Sequence, residues 1–184
     1  MIAIDIDGVL ADIHSVVIQK IQKKLGLKET PPTPTKWDFF DEIGITKKDF
    51  WRAYIELWSQ EYQLIPLIEP DAPTIVAELR RRYEVHIMSS RPKETFAGTA
   101  SWLRLRGIEY DKLLLLPPLA DKTEYIEEYL FLVDDNPNFA SRSNKVILYD
   151  RPWNRHIEAK RRIRSLRELL EIVEPFDAPP QRGV

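Results

Sequence analysis

The sequence predicts an α/β fold, a five-stranded parallel sheet with helices on both sides and an inserted α-helical cap. Three observations predict it. Five short apolar stretches read as buried strands, and helical patterns lie between most of them. That alternation is the signature of a parallel sheet with right-handed crossovers. The gap between the first stretch and the second, residues from about 12 to 70, contains no good strand. A structureless loop of that length does not suit a compact domain, so helices must fill it. Lastly, the first stretch ends in acid, apolar, acid, Gly (Asp5-Ile6-Asp7-Gly8), which packing does not require.

The elements follow in order. Ile2–Asp7 is the first strand. Ser15–Leu25 reads as an amphipathic helix, Thr30–Thr35 as a Pro-rich bend, and Lys47–Tyr62 as a second helix. Pro73–Arg82 places Ile75, Val76 and Leu79 on one helical face. Glu84–Ser89 is the second strand. Thr95–Arg106 is a helix carrying Ala97, Ala100 and Leu103, stopped by Gly107. Lys112–Leu116 is the third strand, Asp121–Tyr129 a short helix and Leu130–Asp134 the fourth strand. Asn138–Arg142 is a turn or two of helix, and Lys145–Tyr149 is the fifth strand. Arg155–Val173 reads as the last helix, with Ile163, Leu166, Leu170 and Val173 on a stripe. The organisation expected is a core of residues 1–11 and 71–175, a helical cap of 12–70, and a flexible tail of 176–184.

Composition narrows the class. The chain of 184 residues is 43% hydrophobic and 30% charged, with net charge −2, which suits one globular unit with a modest insertion. Such a balance gives no general attraction to nucleic acid polymers or anionic membranes. No apolar run reaches the length of a membrane span. The N-terminus enters a strand at once, without the pattern of a signal peptide, so a cytoplasmic location is the expectation. The absence of Cys excludes disulfides, thiolate nucleophiles and Cys-bound zinc.

In an open parallel sheet the ligand sits outside the carboxyl ends of the strands. Strand one ends in Asp5 and Asp7, strand two in Ser89-Ser90-Arg91, and strand four in Asp134-Asp135-Asn136; Lys122 lies ahead of strand four. Alternation puts Asp5 and Asp7 on one side of their strand, about 7 Å apart. Two such carboxylates repel, and a hard divalent cation such as Mg²⁺ relieves the repulsion while also binding phosphate. The bland alternative is that these acids cap helices or serve turns, since Asp-Asp-Asn-Pro is also good turn chemistry. Among the lysines, Lys93 and Lys112 compete with Lys122; Lys112 opens its strand at the wrong end of the sheet.

Taken together these segments resemble the four motifs of the haloacid dehalogenase-like (HAD) superfamily. They are an Asp-x-Asp-Gly-Val-Leu strand end, an apolar strand ending in Ser, a later Lys, and an apolar strand ending in Asp-Asp. The second Asp resembles the phosphatase branch. Within it, Asp5-Ile6-Asp7-Gly8-Val9-Leu10-Ala11-Asp12, Asp121-Lys122-Thr123 and Arg151-Pro152-Trp153-Asn154 are similar to the 5′(3′)-deoxyribonucleotidase family. The resemblance implies an HAD-like Rossmannoid core and an Mg²⁺-dependent phosphomonoester hydrolase working through an aspartyl-phosphate. Asp5 would be the nucleophile and Asp7 the general acid and base. The metal would be held by Asp5, the Asp7 carbonyl, and Asp134 or Asp135. Ser89 and Lys122 would serve the phosphoryl group, with Ser90, Arg91 and Lys93 as further phosphate contacts. The partner implied is a small phosphomonoester, a 5′-nucleotide first; an oligomer is compatible with the chain. A sugar phosphate, transfer to an acceptor other than water, and a non-catalytic HAD-like binding module stay open.

The segment 37–62 is rich in aromatics. Positions 51, 54, 58 and 62 share a helical stripe and read as the core of the cap. Trp37 and Phe40 break that stripe and are the candidates for stacking on a base. Where the nucleotidases carry a base-packing aromatic shortly after the first motif, this chain has Ile13. His86 reads as a satisfied core residue and His14 as a surface residue; Asp12 reads as a helix cap. The basic run Lys160–Arg164 reads as the solvated face of the last helix.

Overall fold

A computed structural model describes residues 1–26 and 33–173. Among them, β1 (Ile2–Ile4), β2 (Val85–Ser90), β3 (Lys112–Leu116), β4 (Leu132–Asp134), β5 (Val146–Tyr149) and β6 (Arg162–Ile163) form one sheet in the order β3-β2-β1-β4-β5-β6. Every neighbouring pair is parallel. The helices are α1 (Ile13–Leu25), α2 (Lys47–Gln60), α3 (Ala72–Arg80), α4 (Phe96–Leu105), α5 (Pro137–Arg142) and α6 (Glu168–Val173). The predicted tail 176–184 and the first half of the Pro-rich bend, residues 30–32, lie outside the described residues.

Strand alternation divides the core into two layers. Ile2, Ile4, Val85, Ile87, Val133 and Ile147 point to one face, where Ile75, Val76 and Leu79 of α3 and Trp102 and Leu103 of α4 cover them. Ala3, Met88, Leu132 and Val146 point to the other, under Ile126, Tyr129 and Phe139. His86 is a satisfied core residue on this second face: Nδ1 lies 2.6 Å from the Tyr129 hydroxyl and Nε2 2.8 Å from Glu84.

The sheet has six strands, not five, and residues 155–173 are not one helix. Leu148 N–H donates to the Arg161 carbonyl and Asp150 N–H to the Ile163 carbonyl, so Arg162–Ile163 closes the edge of β5. The Arg162 guanidinium is spent on Asp150, Asn154 and the Ile157 carbonyl, which corrects the reading of the basic run as a solvated helical face. Ile163, Leu166 and Leu169 are all buried. A two-residue strand followed by a turn and a short helix therefore mimics a helical period.

The segment inserted after β1 is helical, as expected. Thr46 caps α2 by accepting from Asp49 N–H at 3.0 Å, and Asp49 accepts from the Thr46 hydroxyl in return. The ends of the insertion are tied together: Asp12 N–H donates to the Pro66 carbonyl and Ile68 N–H to the Leu10 carbonyl. α2 also packs directly on α4. Trp58 is fully buried and meets Trp102 edge to face at 5.6 Å. Gly98 makes the approach feasible, because a Cβ there would lie 1.5 Å from the Trp58 carbonyl oxygen.

Gly98→Ala is therefore expected to destabilise the fold by about 3 kcal/mol, since the clash is with backbone and not with a flexible side chain. Urea unfolding of the variant beside wild type measures it. An unchanged midpoint would mean that the two helices do not approach in this way.

Candidate active site

β1 and β4 are neighbours, and the chain runs outward from them in opposite directions, to β2 and β3 on one side and to β5 and β6 on the other. This is the switch point of an open α/β sheet, where a crevice forms at the carboxyl ends of the strands. Asp5 follows β1, its N–H bonded to the Val133 carbonyl at 2.9 Å. Asp134 is the last residue of β4, and Asp135 follows it. These three are 4%, 1% and 2% exposed, respectively. One carboxylate oxygen from each lies within 4.8 Å of the others.

Lys122 joins them from a 3₁₀ turn, Lys122–Tyr125, which Asp121 caps by accepting from Thr123 N–H. Its Nζ lies 2.6 Å from Asp5 Oδ1 and donates to Asp134 Oδ2 at 2.7 Å. Asn136 N–H donates to Asp134 Oδ1 at 2.8 Å, and Trp153 Nε1–H to Asp135 Oδ2 at 3.1 Å. Asn154 Nδ2 donates to the Asp135 and Tyr149 carbonyls, tying the carboxyl ends of β4 and β5 to the loop that follows β5. Gly8 sits at φ +82°, and a Cβ there would lie 2.0 Å from Asp135 Oδ2. The turn after β1 thus needs glycine both for its backbone and for room beside the carboxylate.

Three buried carboxylates face one ammonium. Burial raises Asp134 to about 6, against the pull of Lys122 and with the push of Asp5. Burial, reinforced by the charges of Asp134 and Asp5, holds Asp135 well above the ordinary carboxylate range. Burial also raises Asp5, which Lys122 opposes. The two carboxylates of Asp5 and Asp134 in turn raise Lys122 above its usual value, despite its burial. A cluster with this excess of negative charge and only oxygen donors fits a hard divalent cation.

Asp7 stands apart from that cluster. The strand stops at Ile4 and a turn follows, with Leu10 and Ala11 N–H groups both donating to the Ile6 carbonyl. The Asp7 side chain accepts at Oδ2 from the Tyr54 hydroxyl at 2.7 Å and from Arg91 Nη2 at 2.8 Å. Asp5 and Asp7 thus take separate partners instead of sharing one. Arg91 is fully buried; its guanidinium also donates to Ser89 Oγ at 2.9 Å and to Thr99, and lies 4.5 Å from the Trp58 ring centre. Ser89 is buried beside it, and the Ser90 hydroxyl points to the Ala120 carbonyl at 3.4 Å. Lys93 is exposed on the next 3₁₀ turn.

The aromatic residues divide. Tyr54 and Trp58 of the expected stripe are buried on α2, but Trp51 is 37% exposed and Tyr62 is half-buried beyond the helix end; the buried face runs instead through Phe50, Tyr54, Leu57 and Trp58. Phe40 packs on Phe39 at 4.9 Å and on Phe50 at 5.5 Å, whereas Trp37 is 38% exposed. Ile13 is fully buried. His14 is half-buried and does not stand free on the surface: its ring lies 4.6 Å from Trp153 and 5.8 Å from Phe39, and its Nδ1 is buried without a hydrogen-bond partner among the described residues. Burial, with the nearby charge of Arg151, lowers it to about 4. Asp12 stands at the cap position of α1 but accepts from the Ser15 hydroxyl and not from a helix N–H. Sequence reasoning missed the contact of Tyr54 with Asp7 and that of Trp153 with Asp135. The one mark of the first was a phenol on an otherwise apolar stripe, since a buried Tyr hydroxyl needs a partner.

The model of the 5′ nucleotidase, deoxy (pyrimidine), cytosolic type C protein family matches residues 1–176. The chain belongs to this family. It is an HAD-type phosphatase, a 5′-nucleotidase-like hydrolase. No curated protein matches the sequence. Solved structures share the fold at low identity. A predicted phosphatase from Clostridium acetobutylicum superposes with a TM-score of 0.64 at 13% identity, over 94% of this chain and 96% of that one. The HAD-hydrolase YfnB from Bacillus subtilis, solved bound to magnesium, gives 0.58 at 11% identity, over 94% and 97%. CbbY from Rhodobacter sphaeroides, solved in complex with phosphate, gives 0.51 at 16%, over 91% and 95%.

The depressed His14 sets a pH dependence for this phosphatase. The unfolded chain takes up a proton on His14 below about pH 6.5, while the folded chain refuses it down to about 4. Stability is thus lost as pH falls through that window. His14→Phe, which suits the aromatic surroundings, is expected to flatten the fall in urea midpoint between pH 7 and pH 5. Parallel curves for variant and wild type would refute the assignment.

Proposed function

We propose that this phosphatase is an Mg²⁺-dependent phosphomonoester hydrolase that works through an aspartyl-phosphate and acts on 5′-nucleotides or deoxynucleotides. The observation that carries the proposal is the convergence of Asp5, Lys122, Asp134 and Asp135 at the sheet's switch point, buried and short of positive charge.

Asp5 attacks the phosphorus, forming a bond between its carboxylate oxygen and phosphorus as the bond to the leaving oxygen breaks. Asp7 gives that oxygen a proton, and its carboxylate then takes a proton from the water that opens the aspartyl-phosphate. Lys122 offsets the charge gathered at Asp5 and on the phosphoryl oxygens. Ser89 and the backbone N–H groups that follow it hold those oxygens. Asp5, the Asp7 carbonyl and Asp134 or Asp135 would hold Mg²⁺, which supplies charge neutralisation for the phosphate. Trp37, with its exposed ring, is the better stacking surface for a base, because Phe40 is engaged with Phe39 and Phe50. The family's own description as cytosolic supports a cytoplasmic setting.

A second reading keeps the chemistry and changes the substrate to a non-nucleotide phosphate such as a sugar phosphate. Ile13 favours it, being a buried aliphatic where the nucleotidases resembled here place an aromatic.

A panel of nucleoside monophosphates, sugar phosphates and p-nitrophenyl phosphate, with Mg²⁺ or EDTA, decides between them. The expected outcome is metal-dependent phosphate release greatest on a deoxynucleotide, abolished by Asp5→Asn with the fold intact. Full activity of Asp5→Asn would remove the nucleophile assignment. Turnover confined to sugar phosphates would select the second reading, and phosphate recovered on an added alcohol would make the protein a transferase.

A further inference from the structure

The Asp7 carboxylate is held unevenly. Both of its donors, the Tyr54 hydroxyl and Arg91 Nη2, bind Oδ2, whereas Oδ1 is buried and has no hydrogen-bond partner. An oxygen that accepts two hydrogens has its lone pairs committed, so a proton taken up by this carboxyl goes to the other one. Neither donor can turn away easily. Arg91 is fully buried between Ser89, Thr99 and the Trp58 ring. Tyr54 lies on α2 with its ring between Phe50 and Trp58, and α2 is seated on α4 at Gly98.

We propose that Tyr54 is a positioning residue for proton transfer: together with Arg91 it pins Asp7 Oδ2 and so makes Oδ1 the atom that hands its proton to the leaving oxygen. The inference rests on the reading of Asp7 as general acid. As the phosphorus–oxygen bond of the substrate breaks and the Asp5–phosphorus bond forms, the proton moves from Oδ1 to the departing alkoxide, leaving Asp7 as a carboxylate with both donors still on Oδ2. Orientation of this kind matters most where the leaving group is a poor one. The inserted helix would then contribute to the chemical step itself, in addition to covering the site.

The test compares kcat/KM for two esters in the full-length protein with Mg²⁺. One is an alkyl phosphate, deoxyuridine 5′-monophosphate or β-glycerophosphate, whichever wild type turns over faster. The other is p-nitrophenyl phosphate, whose phenolate leaves without help. This ratio reports the steps up to phosphoryl transfer and is blind to later hydrolysis. Tyr54→Phe removes one oxygen and keeps the ring packing. It is expected to lower kcat/KM for the alkyl ester by about 10–100-fold, with the p-nitrophenyl ester nearly unaffected. Tyr54→His, which restores a donor, should recover part of the loss and covers the case in which the Phe variant does not fold. Asp7→Asn run alongside should show the same selectivity, more strongly. Equal losses on both esters would reduce Tyr54 to a packing residue and overturn the proposal. If Asp7→Asn itself showed no selectivity, or wild type cleaved neither ester, the general-acid reading would fall first, and this inference with it.

Discussion

A lysine bridging two aspartates at the bottom of the crevice is the contact on which the site depends. Lys122 reaches Asp5 and Asp134 at 2.6 and 2.7 Å, and all three are buried. An ammonium without these partners would be costly to bury, and so would either carboxylate without the ammonium. The contact also links separate parts of the chain: the end of β1, the 3₁₀ turn after β3 and the end of β4. The third carboxylate, Asp135, has no direct ion pair among the described residues: Trp153 Nε1–H is its side-chain donor, and Arg151 acts on it only through its nearby charge. The fold therefore gathers an excess of negative charge and buries it. That is a poor way to stabilise a protein and a good way to attract a cation together with a phosphate ester.

Much of this was legible in the sequence, for a definite reason. Strands buried on both faces are continuous apolar runs, and polar residues at their carboxyl ends stand out against them. Asp5, Ser89 and Asp134 could be placed from that contrast alone, and Lys122 from its position ahead of the fourth strand. The interior of the insertion was read correctly as helical because α1 and α2 carry long apolar stripes.

What was missed depends on contacts that no local period records. Arg162–Ile163 is too short to show alternation, and the neighbouring Leu166 completes a false helical stripe. No local period shows that the partners of Arg91, Thr99 and Trp58, come from α4 and α2. His14 looked exposed because its surroundings, Trp153 and Phe39, lie far along the chain. Tyr54 shared a stripe with Trp58, so its ring was assigned to the core and its hydroxyl overlooked.

The seat of α2 on α4 has an evolutionary consequence. Gly98 leaves no space between the helices, Trp58 covers Arg91, and Arg91 meets Asp7 beside Tyr54. An insertion joined only at its two ends could be exchanged between relatives as a module, carrying substrate preference with it. This one could not. A transplanted helix would need an aromatic to cover the guanidinium and a hydroxyl at the right height, and it would have to meet an α4 with a glycine at the crossing. Change in the inserted helices is thus yoked to residues outside the insertion, Gly98 of α4 and Arg91 after β2.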